Sequence, residues 1–518
     1  MSAIDYFDRG VLLHPDREAL VAAEGSYTYR QLQESSYRVA RAIIARDGEN
    51  RSPLAVYSPN HIDIFPALLG GMRADRIIVP ANALDEVEAT AHFLNLTTTR
   101  WLFYHSSLGE NVVRLRGMVP SLKHFVCLDR DHDNNKSLRG FADEVEDGRI
   151  PDLPHDPHHF FYYYATGGTT GRSKAVIWDM LVWDTFVSLL NSLTATPTPP
   201  VHLCVAPISH TAGPLATALM AVGGKTVVMP GFDALEVMKN IEKHQVTHLF
   251  LPPTALYAML AHPEVKRFDY SSLHYFIVAA APVAPEKIRE AIEVFGPCLC
   301  QSYGQSEAPG FLTWMPPAKF AAAAADPALA HRLQSCGQPT IGTRLAIMDD
   351  NGNLLPAGQP GEIVVRSNLA TIGYLDNPEA TAEIKKFGWH HTGDIGIIDD
   401  DGFVYVVDRK KEMIITGGFN VYPAEVETRI LTHPAIQEAA VIGIPDEKWG
   451  EMVMGVVVRK VGHEISEAEL IAYCKEGMGS VKAPKRIEFR DQLPKTAAGK
   501  VSRKEIRRPY WAGRERSI

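Results

Sequence analysis

Residues 164–174 read Tyr-Ala-Thr-Gly-Gly-Thr-Thr-Gly-Arg-Ser-Lys and directly continue a Phe/Tyr run at 160–164. The aromatic run predicts a buried strand, because aromatic side chains suit a pleated, packed surface. Glycine lets backbone N–H groups turn inward around an anion, and threonine hydroxyls add donors without adding charge. The stretch therefore predicts a polyphosphate-binding loop, whose candidate residues are Thr166, Gly167, Gly168, Thr169, Thr170, Gly171 and Lys174.

The loop is not a Walker A motif, which requires a lysine directly after its last glycine. Here Arg172 and Ser173 separate Gly171 from Lys174. A Gly/Thr-rich surface loop without a ligand is the alternative for this stretch taken alone, so the rest of the chain has to decide between the two interpretations.

Composition describes an ordinary soluble protein of more than one domain. The proportions of 46% hydrophobic and 22% charged residues are typical of a soluble globular protein. With 518 residues the chain is too long for a single hydrophobic core. The net charge of -9 gives no reason to expect nucleic acid or an anionic membrane as a partner. The six cysteines are scattered without zinc spacing, which predicts reduced thiols. The N-terminus lacks the features of a signal peptide, and no apolar run is long enough to span a membrane, so we expect a cytoplasmic protein.

Short apolar segments alternate with amphipathic ones as far as about residue 310. Alternation of this kind predicts βαβ units, with parallel sheets that carry helices on both faces. Ligands of such sheets bind beyond the carboxyl ends of the strands, here after Tyr164, Val205, Ala279 and Ser302. The predicted strands are 54–57, 77–80, 160–164, 201–205, 226–229, 248–251, 275–280 and 299–302.

The sequence pattern changes beyond about residue 335. Asp/Asn/Gly turns at 349–353 and 399–402 separate apolar strands and predict a β-rich subdomain that ends near Asp408. The residues after it form a smaller α+β unit. We therefore predict an α/β fold with a large domain at 1–408 and a small domain at 409–518.

Six motifs occur in an order that resembles the adenylate-forming superfamily of acyl- and aryl-CoA synthetases, adenylation domains and luciferases. Each motif alone is weak, whereas six in sequence over nearly the whole chain are specific. They are the loop at 166–174, Tyr-Gly-Gln-Ser-Glu at 303–307, His-Thr-Gly-Asp at 391–394, Asp-Arg-Lys-Lys at 408–411, Gly-Gly-Phe-Asn-Val-Tyr-Pro-Ala-Glu-Val-Glu at 417–427 and Pro-Lys-Thr-Ala-Ala-Gly-Lys at 494–500.

The resemblance implies a set of roles around ATP. Lys500 would bridge the substrate carboxylate and the α-phosphate, Ser306 would face that phosphate, and Glu307 would help to hold Mg²⁺. Tyr303 would contribute to the nucleotide site. Asp394 would accept hydrogen bonds from the ribose, with Arg409 nearby.

The resemblance also implies that the small domain is mobile. It would rotate about a hinge at Lys411, after which a thiol attacks the acyl-adenylate. Gly417 and Gly418 would let a pantetheine arm pass close to the backbone. The implied cofactors are ATP, Mg²⁺ and coenzyme A.

The acyl pocket carries the weakest signal. By resemblance its lining residues are His210, Ala279, Ala280, Ser302 and Gly304. Ala279 and Ser302 replace glycines that are common in the family, which favours an aryl or short-to-medium acid over a long fatty acid. Segment 206–214 contains no aspartate, which disfavours an amino-acid substrate.

The sequence thus predicts an ATP-dependent carboxylic acid–CoA ligase that works through an acyl-adenylate and releases pyrophosphate. An adenylating enzyme that delivers the acyl group to a carrier-protein thiol or an amine is the alternative. A nucleotide-binding regulatory protein is a second one, which the presence of Lys500, Glu307 and Asp394 disfavours. The expected partners are a small carboxylic acid and CoA or a carrier protein, and a homodimer is left open.

Overall fold

The structure, a computed structural model, describes residues 1–166, 173–495 and 501–512. Within them the chain divides into two compact units. One comprises residues 1–166, 173–345 and 365–390, and the other comprises residues 346–364, 391–495 and 501–512. The α/β class with a large N-terminal part is confirmed, whereas the domain boundary at 408/409 stays a prediction.

The helices of the described chain are α1 Asp5–Leu13, α2 Tyr29–Asp47, α3 Ile64–Arg73, α4 Val87–Leu96, α5 Gly109–Met118, α6 Leu138–Ala142, α7 Met180–Leu193, α8 Ala212–Leu219, α9 Ala234–His244, α10 Pro253–Leu260, α11 Pro285–Phe295, α12 Pro317–Ala325, α13 Pro378–Glu383, α14 Pro423–Leu431, α15 Glu467–Lys482 and α16 Arg503–Arg507.

The strands of the first unit are β1 Glu18–Ala22, β2 Gly25–Thr28, β3 Leu54–Ser58, β4 Ile78–Asn82, β5 Trp101–Tyr104, β6 His124–Cys127, β7 Phe160–Ala165, β8 Ala175–Asp179, β9 Val201–Cys204, β10 Lys225–Val228, β11 His248–Leu251, β12 Tyr275–Val278, β13 Leu299–Gln305, β14 Ala308–Met315 and β15 Gln338–Pro339. The remaining strands are β16 Thr343–Met348, β17 Gly361–Ser367, β18 His390–Ile398, β19 Val404–Arg409, β20 Ile414–Thr416, β21 Phe419–Val421, β22 Ile436–Asp446, β23 Gly450–Arg459 and β24 Arg486–Phe489.

Two sheets organise the first unit. One has the order β15-β14-β13-β12-β11-β9-β10-β1-β2 and the other has the order β6-β5-β3-β4-β7-β8. Their centres are parallel, as the alternating sequence predicts, because crossover helices connect neighbouring strands. Their edges are antiparallel, at β1–β2, β7–β8 and β13–β14. The parallel sheets that the alternating sequence predicts thus carry antiparallel strands at their edges.

One side chain joins the two sheets of the first unit. Asn60 follows β3, and its amide donates to the carbonyls of Val205, Ala206 and Met229 at 3.0–3.1 Å while its oxygen accepts from Ile208 N at 2.8 Å. A buried amide satisfied in this way fixes the loop after β9 against the end of β3.

The second unit contains most of a four-stranded sheet, β16-β17-β18-β19, and a five-stranded one, β21-β20-β23-β22 with β24 on β23. The five-stranded sheet has apolar side chains on both faces, since α14 and α15 pack on one and α16 on the other. Helix α15 begins with a capping box between Ser466 and Glu469. A short 3₁₀ turn, Lys410–Glu412, links the two sheets.

None of the described helices combines the length and the apolar character that crossing a bilayer requires. All six cysteines lie within the described ranges, where each is buried and outside any disulfide.

Candidate active site

The predicted phosphate loop connects two paired strands, β7 and β8. Strands β7 and β8 pair antiparallel up to Ala165 and Ala175. Beyond them Thr166 N donates to Lys174 O at 3.0 Å, and Lys174 N donates to Thr166 Oγ1 at 3.1 Å. The candidates Gly167, Gly168, Thr169, Thr170 and Gly171 lie outside the described residues. Thr166 and Lys174, the residues that flank the undescribed part of the loop, are thus held together by two hydrogen bonds.

Trp178 fixes the second motif beside this hairpin. It lies on β8, and its Nε1 donates to the backbone oxygen of Ser306 at 2.8 Å. Its ring stacks on Tyr164 with a centroid distance of 4.8 Å and an interplanar angle of 8°. The indole is therefore held on one face by β7 and uses its polar edge to place Ser306.

Glu307 is held by a tyrosine that the sequence reasoning missed. Tyr374 OH donates to Glu307 Oε1 at 2.7 Å, and Thr371 N donates to the carbonyl of Glu307 at 2.7 Å. Burial, and then the Glu307 carboxylate, raise the pKa of Tyr374 well above the ordinary tyrosine value, so the hydroxyl remains a donor. Lys174 Nζ lies 4.8 Å from the centroid of the same ring, a cation–π contact.

Tyr374 also belongs to the hairpin by its backbone, since it pairs with Val176 across an isolated bridge. Thr166, Lys174, Ser306 and Glu307 are thereby connected through two aromatic side chains within the first unit. No local pattern predicts the role of Tyr374, because Glu307, Lys174 and Val176 are all distant from it in sequence.

The second motif starts inside a strand. We expected 303–307 to follow a strand that ends at Ser302, but β13 continues to Gln305 and turns back into β14. The expectation is wrong because Ser302 and Tyr303 pair with Trp314 and Thr313 in that hairpin. Gly304 lies against β14 so closely that a Cβ would stand 2.6 Å from Gly310 N, and only glycine fits.

The other pocket candidates surround the ends of neighbouring strands. The predicted strand 275–280 ends at Val278, because Ala280 has a φ of 74°, a left-handed conformation that no strand accepts. Ala279 and Ala280 thus form a turn at the carboxyl end of β12, next to β13 and its buried Ser302. The His210 ring lies 6.4 Å from the Tyr164 ring, which places it near the end of β7.

The ribose candidates lie together in the second unit. Asp394 on β18 is 4% exposed, and its Oδ1 is 2.9 Å from Nε of Arg409, its cross-strand partner on β19. Asp394 N donates to Thr392 Oγ1 at 3.1 Å. A buried carboxylate is thus oriented by a half-exposed guanidinium.

A second ionic group lies beside this pair and was not predicted. The carboxylate of Glu362 is 3.1 Å from His391 Nδ1 and 3.0 Å from Lys410 Nζ, and it accepts from Gly393 N at 3.1 Å. Burial acts to raise the pKa of Glu362, but the hydrogen bonds from His391 and Lys410 outweigh it and lower this pKa to about 2. Glu362 therefore stays ionised and anchors the turn that carries Asp394.

The predicted thiol-channel glycines form the turn between β20 and β21. Gly417 and Gly418 have φ values of 57° and 81°, which favour glycine. Both glycines are exposed, and a Cβ on Gly417 would collide with the indole of Trp449, since it would lie 2.6 Å from Cε3. The predicted hinge residue Lys411 lies in the 3₁₀ turn between the sheets.

Lys500 lies outside the described residues, but both flanks of its loop are described. Lys495 pairs with Val501 across a bridge, and Ser502 N donates to Pro494 O at 2.8 Å. Arg503, three residues after Lys500, is an unpredicted residue that contacts three carboxylates, those of Asp408, Glu412 and Glu427.

No group of three or more His, Cys, Asp or Glu side chains in the described ranges has the arrangement of a metal site. The candidate metal ligand Glu307 is a single carboxylate whose Oε1 accepts from Tyr374. Mg²⁺ bound to nucleotides typically uses one or two carboxylates together with phosphate oxygens, so the donor set fits that ion but not a metal held by protein alone.

Comparison with known proteins agrees with this geometry. Residues 7–375 match the AMP-binding enzyme family, and residues 425–500 match the AMP-binding enzyme C-terminal domain. The chain is 32% identical to a feruloyl-CoA synthase of Amycolatopsis sp over 97% of this chain and 98% of that protein. It is 40% identical to the medium/long-chain-fatty-acid–CoA ligase FadD8 of Mycobacterium tuberculosis, over 71% of this chain and 64% of that protein.

The structure of ATP-bound MatB from Rhodopseudomonas palustris is also similar. It superposes with a TM-score of 0.87 at 26% identity over 98% of this chain and 99% of MatB. The fold and the linked motifs define an enzyme of the adenylate-forming class. The chain belongs to the AMP-binding enzyme family of the adenylate-forming superfamily.

Proposed function

We propose that the protein is an ATP-dependent carboxylic acid–CoA ligase that forms an acyl-adenylate and then a thioester. The observation that carries the proposal is the network in the first unit that joins the flanks of the phosphate loop to Ser306 and Glu307 through Trp178 and Tyr374. A surface loop without a ligand has no need of such a connection to a second motif.

In the first half-reaction a carboxylate oxygen attacks the α-phosphorus of ATP, and the bond to pyrophosphate breaks. This chemistry requires positioning and the neutralisation of charge more than covalent assistance. Lys174 and the loop that it closes would hold the outer phosphates, and Ser306 would face the α-phosphate. Glu307 would hold Mg²⁺, which supplies charge neutralisation at the phosphates when it is bound.

Asp394, Arg409 and Lys500 supply the rest of the adenylation machinery in this proposal. Asp394 would accept hydrogen bonds from the ribose hydroxyls, and its pairing with Arg409 fixes the carboxylate for that role. The ammonium of Lys500 would stabilise charge that develops between the substrate carboxylate and the α-phosphate.

For the second half-reaction we propose that residues 409–518 rotate as a mobile domain about Lys411. The CoA thiolate then attacks the acyl carbonyl and AMP leaves. Gly417 and Gly418 would allow the pantetheine arm to pass, because their turn exposes backbone without side chains.

An aryl or short-to-medium acid is the substrate class that the pocket supports. Ala279, just after β12, and Ser302, within β13, add side-chain atoms where the family commonly has glycine, and Ala280 is held in a left-handed conformation beside Ala279. One additional group of this size shifts the preference between substrates by roughly 1–3 kcal/mol. A cytoplasmic location and a homodimer stay predictions.

The test is pyrophosphate release across a panel of aryl and aliphatic acids, with and without CoA. We expect release with aryl or short-to-medium acids, and a CoA thioester as product when CoA is present. Release without consumption of CoA would instead favour a carrier-protein thiol or an amine as acceptor. Absence of release with every acid would contradict the proposed function.

A further inference from the structure

A buried ionic group in the second unit connects the segments on either side of the predicted hinge. Arg503 on α16 donates through Nη1 to Asp408 Oδ1 at 3.1 Å and to Glu412, and through Nε to Glu427 Oε1 at 2.7 Å. Its side chain is 18% exposed, and that of Asp408 is 3% exposed. One guanidinium therefore serves three carboxylates in a site with little water, where charge-assisted hydrogen bonds are strong.

The members of this group differ in their position relative to Lys411. Asp408 lies in β19 of the four-stranded sheet and precedes Lys411, whereas Glu412, Glu427 and Arg503 follow Lys411. Asp408 also accepts from Ala424 N, at the start of α14, at 2.6 Å. A rotation about Lys411 leaves the contacts of Arg503 with Glu412 and Glu427 intact, but it must break the contacts of Asp408 with Arg503 and with Ala424 N.

Lys410, by contrast, contacts only carboxylates that precede Lys411 among the ion pairs of the described residues. Its ammonium binds Glu362 at 3.0 Å and Asp350 at 2.7 Å, both of which precede the hinge as Lys410 does. Rotation about Lys411 preserves these bonds. Lys410 therefore fixes the end of β19 to its own sheet, and Asp408 alone among these carboxylates holds the five-stranded sheet across the hinge.

We infer that Asp408 and Arg503 are positioning residues whose contact sets the balance between the two orientations of the C-terminal residues, and thereby the ratio of the two half-reactions. The inference rests on the proposed function and adds to it the contact that rotation has to break. Loss of one charge-assisted hydrogen bond changes such a balance by about tenfold.

The matched variants are Asp408→Asn and Glu412→Gln. Each removes one negative charge from the Arg503 group without changing shape, but only Asp408→Asn weakens a contact across Lys411. We expect Asp408→Asn to change the ratio of thioester formation to acyl-AMP formation by about tenfold, and Glu412→Gln to leave it within about twofold. Arg503→Lys keeps the positive charge but loses the forked hydrogen-bonding geometry of the guanidinium, so an intermediate change in the ratio is expected.

A readout of orientation separates this inference from the proposed function. Val113 and Val461 are exposed to 58% and 97%, and the six cysteines are buried, so cysteines placed at the two valines accept a dye pair selectively. Energy transfer in the free protein should shift in Asp408→Asn and stay at the parent value in Glu412→Gln. The inference would be overturned if the two variants gave the same energy transfer, whether that transfer equals the parent value or is shifted from it. This outcome does not depend on whether any acid supports pyrophosphate release.

Discussion

Two buried sites of the molecule hold ionisable side chains in opposite ways: the pair of strands β9 and β11 in the first unit, and two ionic groups in the second unit. In the first unit His202 on β9 and His248 on β11 are neighbours in register, exposed to 2% and 1%. Burial lowers the pKa of His202 to about 3 and that of His248 to about 4, so both rings are neutral. In the second unit the Arg503 and Glu362 groups remain charged because each charge is paired.

Neutral and charged contacts also differ in the roles that we propose for them. Neutral aromatic and amide contacts, such as those of Trp178, Tyr374 and Asn60, hold pieces that need not move during the reaction. Paired charges can exchange a buried partner for water or for another charge, so they suit contacts that form and break.

Lys500→Ala should abolish acyl-AMP formation and spare the thiol step. Removing one preorganised electrostatic contact typically costs about 10²–10³ in rate. Pyrophosphate release measures the first step, and thioester formation from supplied acyl-AMP measures the second. Lys495→Ala is the control, because its ammonium binds Glu438 on β22. Equal loss in both half-reactions of Lys500→Ala would contradict the assigned role.

Lys411→Pro should impair the thiol step more than adenylation, by about tenfold or more. Proline fixes φ near -65° and thereby removes the backbone freedom that a hinge needs. Lys411→Ala, which keeps that freedom, should retain both half-reactions. Thiol-step kinetics that match those of the parent in Lys411→Pro would show that residue 411 is not the hinge.

Sequence reasoning succeeded where a local signal exists. The strand at 160–164 follows from its aromatic residues, whereas the roles of Gly417, Gly418 and Asp394 stay predictions. It missed Tyr374 and Arg503, because their partners lie 67 residues away for Tyr374 and at least 76 residues away for Arg503. The sequence also predicts that a strand ends at Ser302, whereas the strand continues to Gln305. Pairing of β13 with β14 outweighs the low strand propensity of Gly304.

Acidification should weaken the first unit before the second. The unfolded chain protonates His202 below about pH 6.5 and the folded chain does not until about pH 3, so stability falls as the pH falls through this range. At pH 5 this linkage amounts to about 2 kcal/mol for such a histidine. The pKa of Glu362 is lowered from 4.5 to about 2, so its contribution is complete above pH 4.5 and is lost only as the pH falls toward 2.

Denaturant unfolding at pH 7 and pH 5 checks this order. In His202→Leu the loss of stability between the two pH values should shrink by about 2 kcal/mol. The exposed His155 provides the control, since His155→Gln should leave the loss unchanged. Glu362→Gln should destabilise the protein equally at both pH values. If Glu362→Gln altered the loss of stability between pH 7 and pH 5 and His202→Leu did not, Glu362 and not His202 would be the group that makes stability depend on pH in this range.

Tyr374→Phe should have the smallest effect, a decrease of about fivefold in adenylation with the thiol step unchanged. The substitution keeps the ring beneath Lys174 and removes only the hydroxyl that donates to Glu307 Oε1, and one hydrogen bond to a charged group contributes about 1.5–3 kcal/mol at most. Part of that loss is recovered because the half-buried carboxylate can accept from water instead. The Mg²⁺ dependence of pyrophosphate release separates positioning of Glu307 from general damage, since a displaced carboxylate raises the Mg²⁺ concentration for half-maximal rate. An unchanged Mg²⁺ dependence with a lower melting temperature would reduce Tyr374 to a packing residue, and the first unit would then lack the rigid link between its phosphate hairpin and Glu307.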